Sequence, residues 1–220
     1  MITSCAVFVP ALEANAYRMA GTQNVVPVPN DIRGITATRN WILQNAKTRR
    51  VVMIDDDVRQ QGWWNLKADQ ALRRPLDEPV WLGEFAKIFD VTEQLGLRIW
   101  GVSSDAATRS TYPYWPFRFR SYVTASCMGL VNDGRTLFDE TYPVKEDYEL
   151  CCRCLTEDGA IVSAQYLHWE NLHWTTEGGC KDYRTQAMER DCIRRLCKQY
   201  PGLVRAVERA GTEWGIEINA

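Results

Sequence analysis

Apolar residues in this chain fall either into short continuous runs or into stretches with helical spacing, and the two kinds alternate. Residues 5–9 form a short apolar run closed by Pro10, which predicts a strand. Residues 25–29 form a second run whose prolines, Pro27 and Pro29, confine it to an edge strand or an extended connection. Ile35, Thr38, Ile42 and Ala46 then recur at helical spacing, with Gly34 at the entry and the basic residues Lys47, Arg49 and Arg50 at the exit, where the helix dipole favours cations. This helix leads directly into Val51, Val52, Met53 and Ile54, which read as a buried central strand. A polar stretch over 60–79 with Trp63 and Trp64 predicts an irregular excursion. Leu82, Phe85, Ile88, Phe89 and Leu95 mark a helix stopped by Gly96. Strands are expected over 97–102, 122–131 and 160–167, a helix from Glu146 to about Glu157, and a basic amphipathic helix over about 181–198, followed by a short segment from Tyr200. Helices that feed straight into strands predict an α/β fold, with helices flanking a mostly parallel central sheet.

At 220 residues, 45% hydrophobic and 25% charged, the chain fits one globular domain with its own core. The formal net charge of −2 gives no overall field for a polyanion, so any nucleic-acid contact must come from a local patch. Such a patch stands at 112–122, where Tyr112, Tyr114, Trp115, Phe117 and Phe119 interleave with Arg118 and Arg120. Aromatic faces for bases and guanidinium groups for phosphates suit a nucleic-acid surface, and the same residues also suit a core-covering loop with snorkelling arginines. No apolar run approaches the roughly 20 residues of a membrane span and the N-terminus lacks a signal-peptide pattern, so a cytoplasmic protein without membrane contact is expected. Of the eight cysteines, Cys151 and Cys154 are spaced C-x-x-C, but no second pair stands at zinc-finger spacing. They read as small buried hydrophobes on one helix face.

Chemistry concentrates where the strand over 51–54 ends in Asp55, Asp56 and Asp57. Three adjacent carboxylates repel one another, and a divalent cation, which hard oxygen ligands suit, relieves that repulsion. A solvated acidic turn is the alternative. A haloacid-dehalogenase reading fails because Arg59 stands where that motif needs Thr or Val.

Three segments in order carry a further likeness: Gly34 to Asn40 in a Gly-x-x-x-x-Arg-Asn pattern, then the strand with its acids, then Phe138-Asp139-Glu140 followed by Glu146-Asp147-x-x-Leu150-x-x-Arg153. This order resembles the GT-A glycosyltransferases, whose Rossmann-like α/β fold carries an Asp-x-Asp metal motif at a strand end. Within that fold the chain is similar to the TET-associated glycosyltransferases of bacteriophages, related to the glucosyltransferase of base J synthesis. The likeness spans roughly residues 5–185.

What the resemblance implies is a single domain over 1–220, with a nucleotide-sugar half at about 1–105 and an acceptor half at about 106–220. It implies a metal-dependent, inverting enzyme moving a hexose from a nucleotide sugar, a UDP-hexose, to a hydroxymethylated pyrimidine such as 5-hydroxymethylcytosine in DNA, with Mn2+ or Mg2+ as cofactor. Asp57 would ligate the metal directly and Asp55 would face the ribose or a metal-bound water. Asp147 would be the general base, with Glu146 steering a substrate. His173, nearer Gly178 and Gly179, is favoured over His168 to complete the metal shell. Arg39, Asp55, Lys181 and Arg184 would serve the donor, and Trp115, Arg118 and Arg120 the DNA. A protein or saccharide acceptor, or a non-catalytic sugar-nucleotide or DNA-binding module, remain alternatives. For Asp147 a plain helix-capping role also stands, since a carboxylate at a helix entry meets free backbone N–H groups.

Overall fold

The computed structural model describes residues 4–65, 72–74, 76–104, 115–171, 184–209 and 213–219. In chain order the elements are β1 (Val7–Pro10), α1 (Ala14–Met19), β2 (Val25–Val28), α2 (Ile35–Asn45), β3 (Arg50–Ile54), β4 (Val58–Asn65), β5 (Leu72–Arg74), α3 (Glu78–Gln94), β6 (Ile99–Ser104), β7 (Phe117–Arg118), β8 (Cys127–Val131), α4 (Glu146–Glu157), β9 (Val162–Asn171), α5 (Gln186–Gln199), β10 (Val204–Arg209) and β11 (Glu213–Ile218).

Seven strands form the main sheet in the order β3-β8-β6-β9-β4-β5, with β7 added on β9. The α/β class expected from sequence holds, and the sheet is mixed. The β1–β2 and β6–β9 pairs run parallel, whereas β3–β8, β6–β8, β4–β9, β4–β5 and β7–β9 are antiparallel. Adjacent strands are therefore more often antiparallel than parallel. β8 enters between β3 and β6 against the direction of both, and β4 runs against both β9 and β5.

Alternate residues of the sheet feed two cores, because successive side chains of a strand point to opposite faces. On one face α3 lays Trp81, Phe85, Ile88 and Phe89 over Trp100, Val102 and Cys127. On the other, Leu43 of α2 and Leu150, Cys151, Cys154 and Leu155 of α4 cover Ile99, Met128 and Leu130. The cysteines of α4 are free and buried, and burial pushes the thiols of Cys151 and Cys154 up, so they behave as the small hydrophobes expected. A third cluster joins α5 to β10 and β11 through Ile193, Leu196, Tyr200, Val204 and Ile216. Arg98, 2% exposed, ties the end of α4 to the start of β6 through Glu157 and Asp158, each at 2.6 Å.

Several sequence expectations change in the structure. The strand ending in the acids is half-buried and lies at one edge of the seven-stranded sheet, not at its centre. The excursion over 60–79 contains β4 and β5, which a polar sequence can form because β4 hydrogen-bonds to β9 on one side and β5 on the other. The segment after Tyr200 is the β10–β11 hairpin. In α2 the buried face is Thr36, Arg39, Asn40 and Leu43, whereas Ile35, Thr38 and Ile42 are only half-buried.

Gly129 faces Trp100 across the β6–β8 ladder, and a Cβ there would lie 2.0 Å from the indole ring. The ring cannot retreat, since Phe85 and Phe89 pack against it with centroids 5.3 and 5.2 Å away. Gly129→Ala is expected to cost about 3 kcal/mol or more, at the upper end of overpacking effects. Gly83→Ala in α3, where a Cβ meets nothing within 4 Å, should stabilise by about 0.5–1 kcal/mol. Urea unfolding of both variants is the check, and equal midpoints would mean that Trp100 does not fill the space above Gly129.

Candidate active site

The site begins with a glycine. Gly34 has φ +83°, which a residue with a Cβ rarely adopts, and from it α2 starts with Thr36, Arg39 and Asn40 turned inward at i, i+3 and i+4. Each inward polar group is satisfied by the chain over 138–146, about 100 residues away. The Thr36 hydroxyl donates to the Tyr142 carbonyl at 2.8 Å. Asn40 Nδ2 donates to the Phe138 carbonyl and to Glu140 Oε1, both at 2.9 Å, while its Oδ1 accepts from the Phe138 N–H at 2.7 Å. The Gly-x-x-x-x-Arg-Asn helix is thus a latch on the Phe-Asp-Glu loop.

Arg39 joins two acids. Its guanidinium, 5% exposed, contacts Asp55 Oδ1 at 3.1 Å with one terminal nitrogen and Glu146 Oε1 with the other, and lies over the Phe138 ring. Burial alone would lower its pKa, but Glu146, Asp55 and Asp147 outweigh that and raise it, so Arg39 is a permanent cation. Asp55 is placed by the ladder: its N–H donates to the Ser126 carbonyl at 3.1 Å, one residue beyond the β3–β8 pairing. Its side chain keeps 39% exposure, yet the surrounding protein removes enough hydration to raise its pKa, which Arg39 opposes and Asp57 and Asp147 reinforce. Asp56 and Asp57 make the turn into β4, with Asp56 exposed and Asp57 half-buried.

Glu146 and Asp147 open α4. Burial pushes the Glu146 carboxyl up, to about 7; Arg39 pulls it down, and Asp147 and Asp55 push it up again. Before them Lys145 sits in the left-handed region at φ +64°, a conformation that costs a non-glycine residue about 1–2 kcal/mol. It is held there by Glu189 at 3.9 Å and by the Tyr148 ring, 5.4 Å from Nζ. Asp147 Oδ1 accepts the Tyr148 N–H at 2.9 Å, and Oδ2 accepts the Tyr122 hydroxyl. Asp55, Glu146 and Asp147 therefore act on one guanidinium, and Asp57 acts on Asp55 beside it, so carboxylates outnumber the cation here.

The other candidates are distributed as follows. His173 and Lys181 lie outside the described residues. His168 is in β9, its backbone opposite Gly62 and Ser103. Arg184 is half-buried and bonded to Glu189, the same carboxylate that meets Lys145. Trp115, Arg118 and Arg120 are all exposed, as is Phe119, and this stretch runs directly into Tyr122. Tyr122 is the residue that sequence reading missed as part of the site, because its contact with Asp147 spans 25 positions and no local pattern announces it.

Among the described residues no group of three His, Cys, Asp or Glu side chains is arranged to hold a metal. The donor set available is the pair of hard oxygen ligands Asp55 and Asp57, whose like charges already act on each other. A pair of carboxylates supplemented by substrate phosphates is a usual way to hold Mg2+, so the residues fit such an ion. No helix among the described residues is long and apolar enough to cross a membrane.

No curated protein sequence matches the chain. A family profile, TET-Associated Glycosyltransferase, matches residues 3–179, which takes in α2, the acids after β3, the Phe-Asp-Glu loop and all of α4, and leaves α5, β10 and β11 beyond it. The chain belongs to the TET-Associated Glycosyltransferase family and is a glycosyltransferase.

Proposed function

We propose that the protein is a metal-dependent, inverting hexosyltransferase of GT-A type that moves a sugar from a UDP-hexose to 5-hydroxymethylcytosine in DNA. The observation that carries this reading is that Arg39 brings the strand-end acid Asp55, with Asp57 beside it, together with the helix-entry acids Glu146 and Asp147. One pair suits a metal-bound diphosphate and the other an acceptor hydroxyl. A bound Mn2+ or Mg2+ would neutralise charge developing on the leaving diphosphate. Asp57 would hold it, together with Asp55, and His173 is the residue proposed to complete the shell. Arg39 serves the donor side by fixing Asp55, and Lys181 and Arg184 would face the diphosphate.

On the acceptor side Asp147 takes the proton of the hydroxymethyl group as its oxygen bonds to the anomeric carbon. The bond from that carbon to the diphosphate oxygen breaks, and its electron pair leaves with the diphosphate. Attack opposite the leaving group inverts the configuration. Glu146, held as a carboxylate by its ion pair with Arg39, would steer a substrate by accepting a hydrogen bond from a sugar or acceptor hydroxyl. A DNA acceptor is supported by the family's association with TET enzymes and by the exposed Trp115, Arg118, Phe119 and Arg120, which lead up to the residue bonded to Asp147.

The direct test is mass spectrometry of nucleosides from 5-hydroxymethylcytosine duplex incubated with the protein, Mn2+ and a panel of nucleotide sugars. A hexose adduct is expected, lost on adding EDTA and in Asp57→Ala. No adduct with any donor would exclude this acceptor, and an adduct that survives EDTA would exclude the metal step.

For the DNA surface, Arg118→Ala with Arg120→Ala should weaken duplex binding and reduce the slope of log K against log salt by about two, one per lost phosphate contact. Fluorescence anisotropy across a salt series measures it. An unchanged slope would return residues 115–121 to a purely structural role.

A further inference from the structure

We infer that Tyr122 is a positioning residue for Asp147, holding the carboxylate in the one orientation from which it can receive the acceptor proton. The inference rests on the reading of Asp147 as the base and adds a residue to it. Asp147 is anchored at both oxygens: Oδ1 by the backbone N–H of Tyr148 at 2.9 Å, and Oδ2 by the Tyr122 hydroxyl. Each carboxylate oxygen can accept a second hydrogen bond, so the anchored group still has lone pairs for a substrate proton. With one anchor only, rotation about the Cβ–Cγ bond is resisted by a single contact, and the proton-accepting lone pair loses its fixed direction.

Tyr122 is itself immobilised from two sides. Its ring stacks on Tyr148, with centroids 4.1 Å apart and planes 14° from parallel, so the phenol packs on the residue that follows Asp147. The next residue, Val123, is fully buried, and its carbonyl accepts from Cys151 Sγ one turn further along α4. The phenol remains a donor at any working pH, because burial first, and then the Asp147 charge, raise its pKa further above its usual value. The other charged groups acting in this cleft are Arg39 on α2, Asp55 after β3 and Glu146 on α4, none of which can supply this neutral donor in its place.

Tyr122→Phe removes only the hydroxyl and leaves the ring to stack on Tyr148, so the fold should survive, as a melting temperature within a few degrees of the parent would record. With the donor selected by the panel above and hydroxymethylcytosine duplex, kcat should fall about tenfold or more, while KM for the donor stays within about twofold. The control is the same substitution in an Asp147→Asn background. There the base is already gone, and adding Tyr122→Phe should change the residual rate by less than about twofold. A parental kcat for Tyr122→Phe, or an equal loss in both backgrounds, would overturn the inference while leaving the base in place. A folded Asp147→Asn protein with parental turnover would instead overturn the reading of Asp147 itself.

Discussion

A single buried guanidinium holds the two halves of the site together. Removing an ion pair from water is costly, and its attraction offsets that cost only when geometry and additional hydrogen bonds are good. Arg39 meets the condition by facing two carboxylates at once, Asp55 from the end of β3 and Glu146 from the start of α4, while the Phe138 ring covers it. The surrounding polar groups complete the arrangement: Asn40 and Thr36 fasten the loop that carries Phe138 and Tyr142, and that loop delivers Glu146. Sequence-distant acids become neighbours because one helix has its polar face turned inward.

The same arrangement makes the cleft chemically useful. Arg39 compensates part of the charge of Asp55, Glu146 and Asp147, while burial, reinforced by the neighbouring carboxylates, still holds Asp55 and Glu146 above the usual carboxylate range. A glycosyl transfer that releases a diphosphate needs a cation at one end and a proton acceptor at the other. In the proposed reading the carboxylates of Asp55 and Asp57 would attract the first, and the anchored Asp147 would supply the second. Lys145, in a left-handed conformation directly before the helix acids, is the kind of backbone strain that surrounding packing sustains at functional positions.

Much of this was legible in the chain. The acid-ended strand, the Gly34 entry, the Glu146 helix and the order of the three motifs are all local patterns, and local patterns survive folding. What periodicity misjudged was the face of α2: an apolar stripe through Ile35, Thr38 and Ile42 suggested the core side, but the buried side carries Thr36, Arg39 and Asn40. Hydrophobic spacing presumes an apolar interior, and here the interior partner is a loop with backbone groups to satisfy. The β4 and β5 strands were hidden for a related reason, since β4 pairs with β9 more than 100 residues downstream, β5 joins the sheet only through β4, and the sequence of both is polar. Tyr122 could not be assigned because only the tertiary fold brings it to Asp147.

If the Arg39 bridge organises the site, its energetics must show it. Urea unfolding of Arg39→Met, alone and with Glu146→Gln, measures this directly. The single substitution should cost about 3–5 kcal/mol, the usual penalty for leaving buried carboxylates without their partner. Neutralising Glu146 in that background should recover a substantial part of the loss, because the uncompensated charge is then gone. An Arg39→Met protein within about 0.5 kcal/mol of the parent, a range ordinary for surface substitutions, would contradict the account.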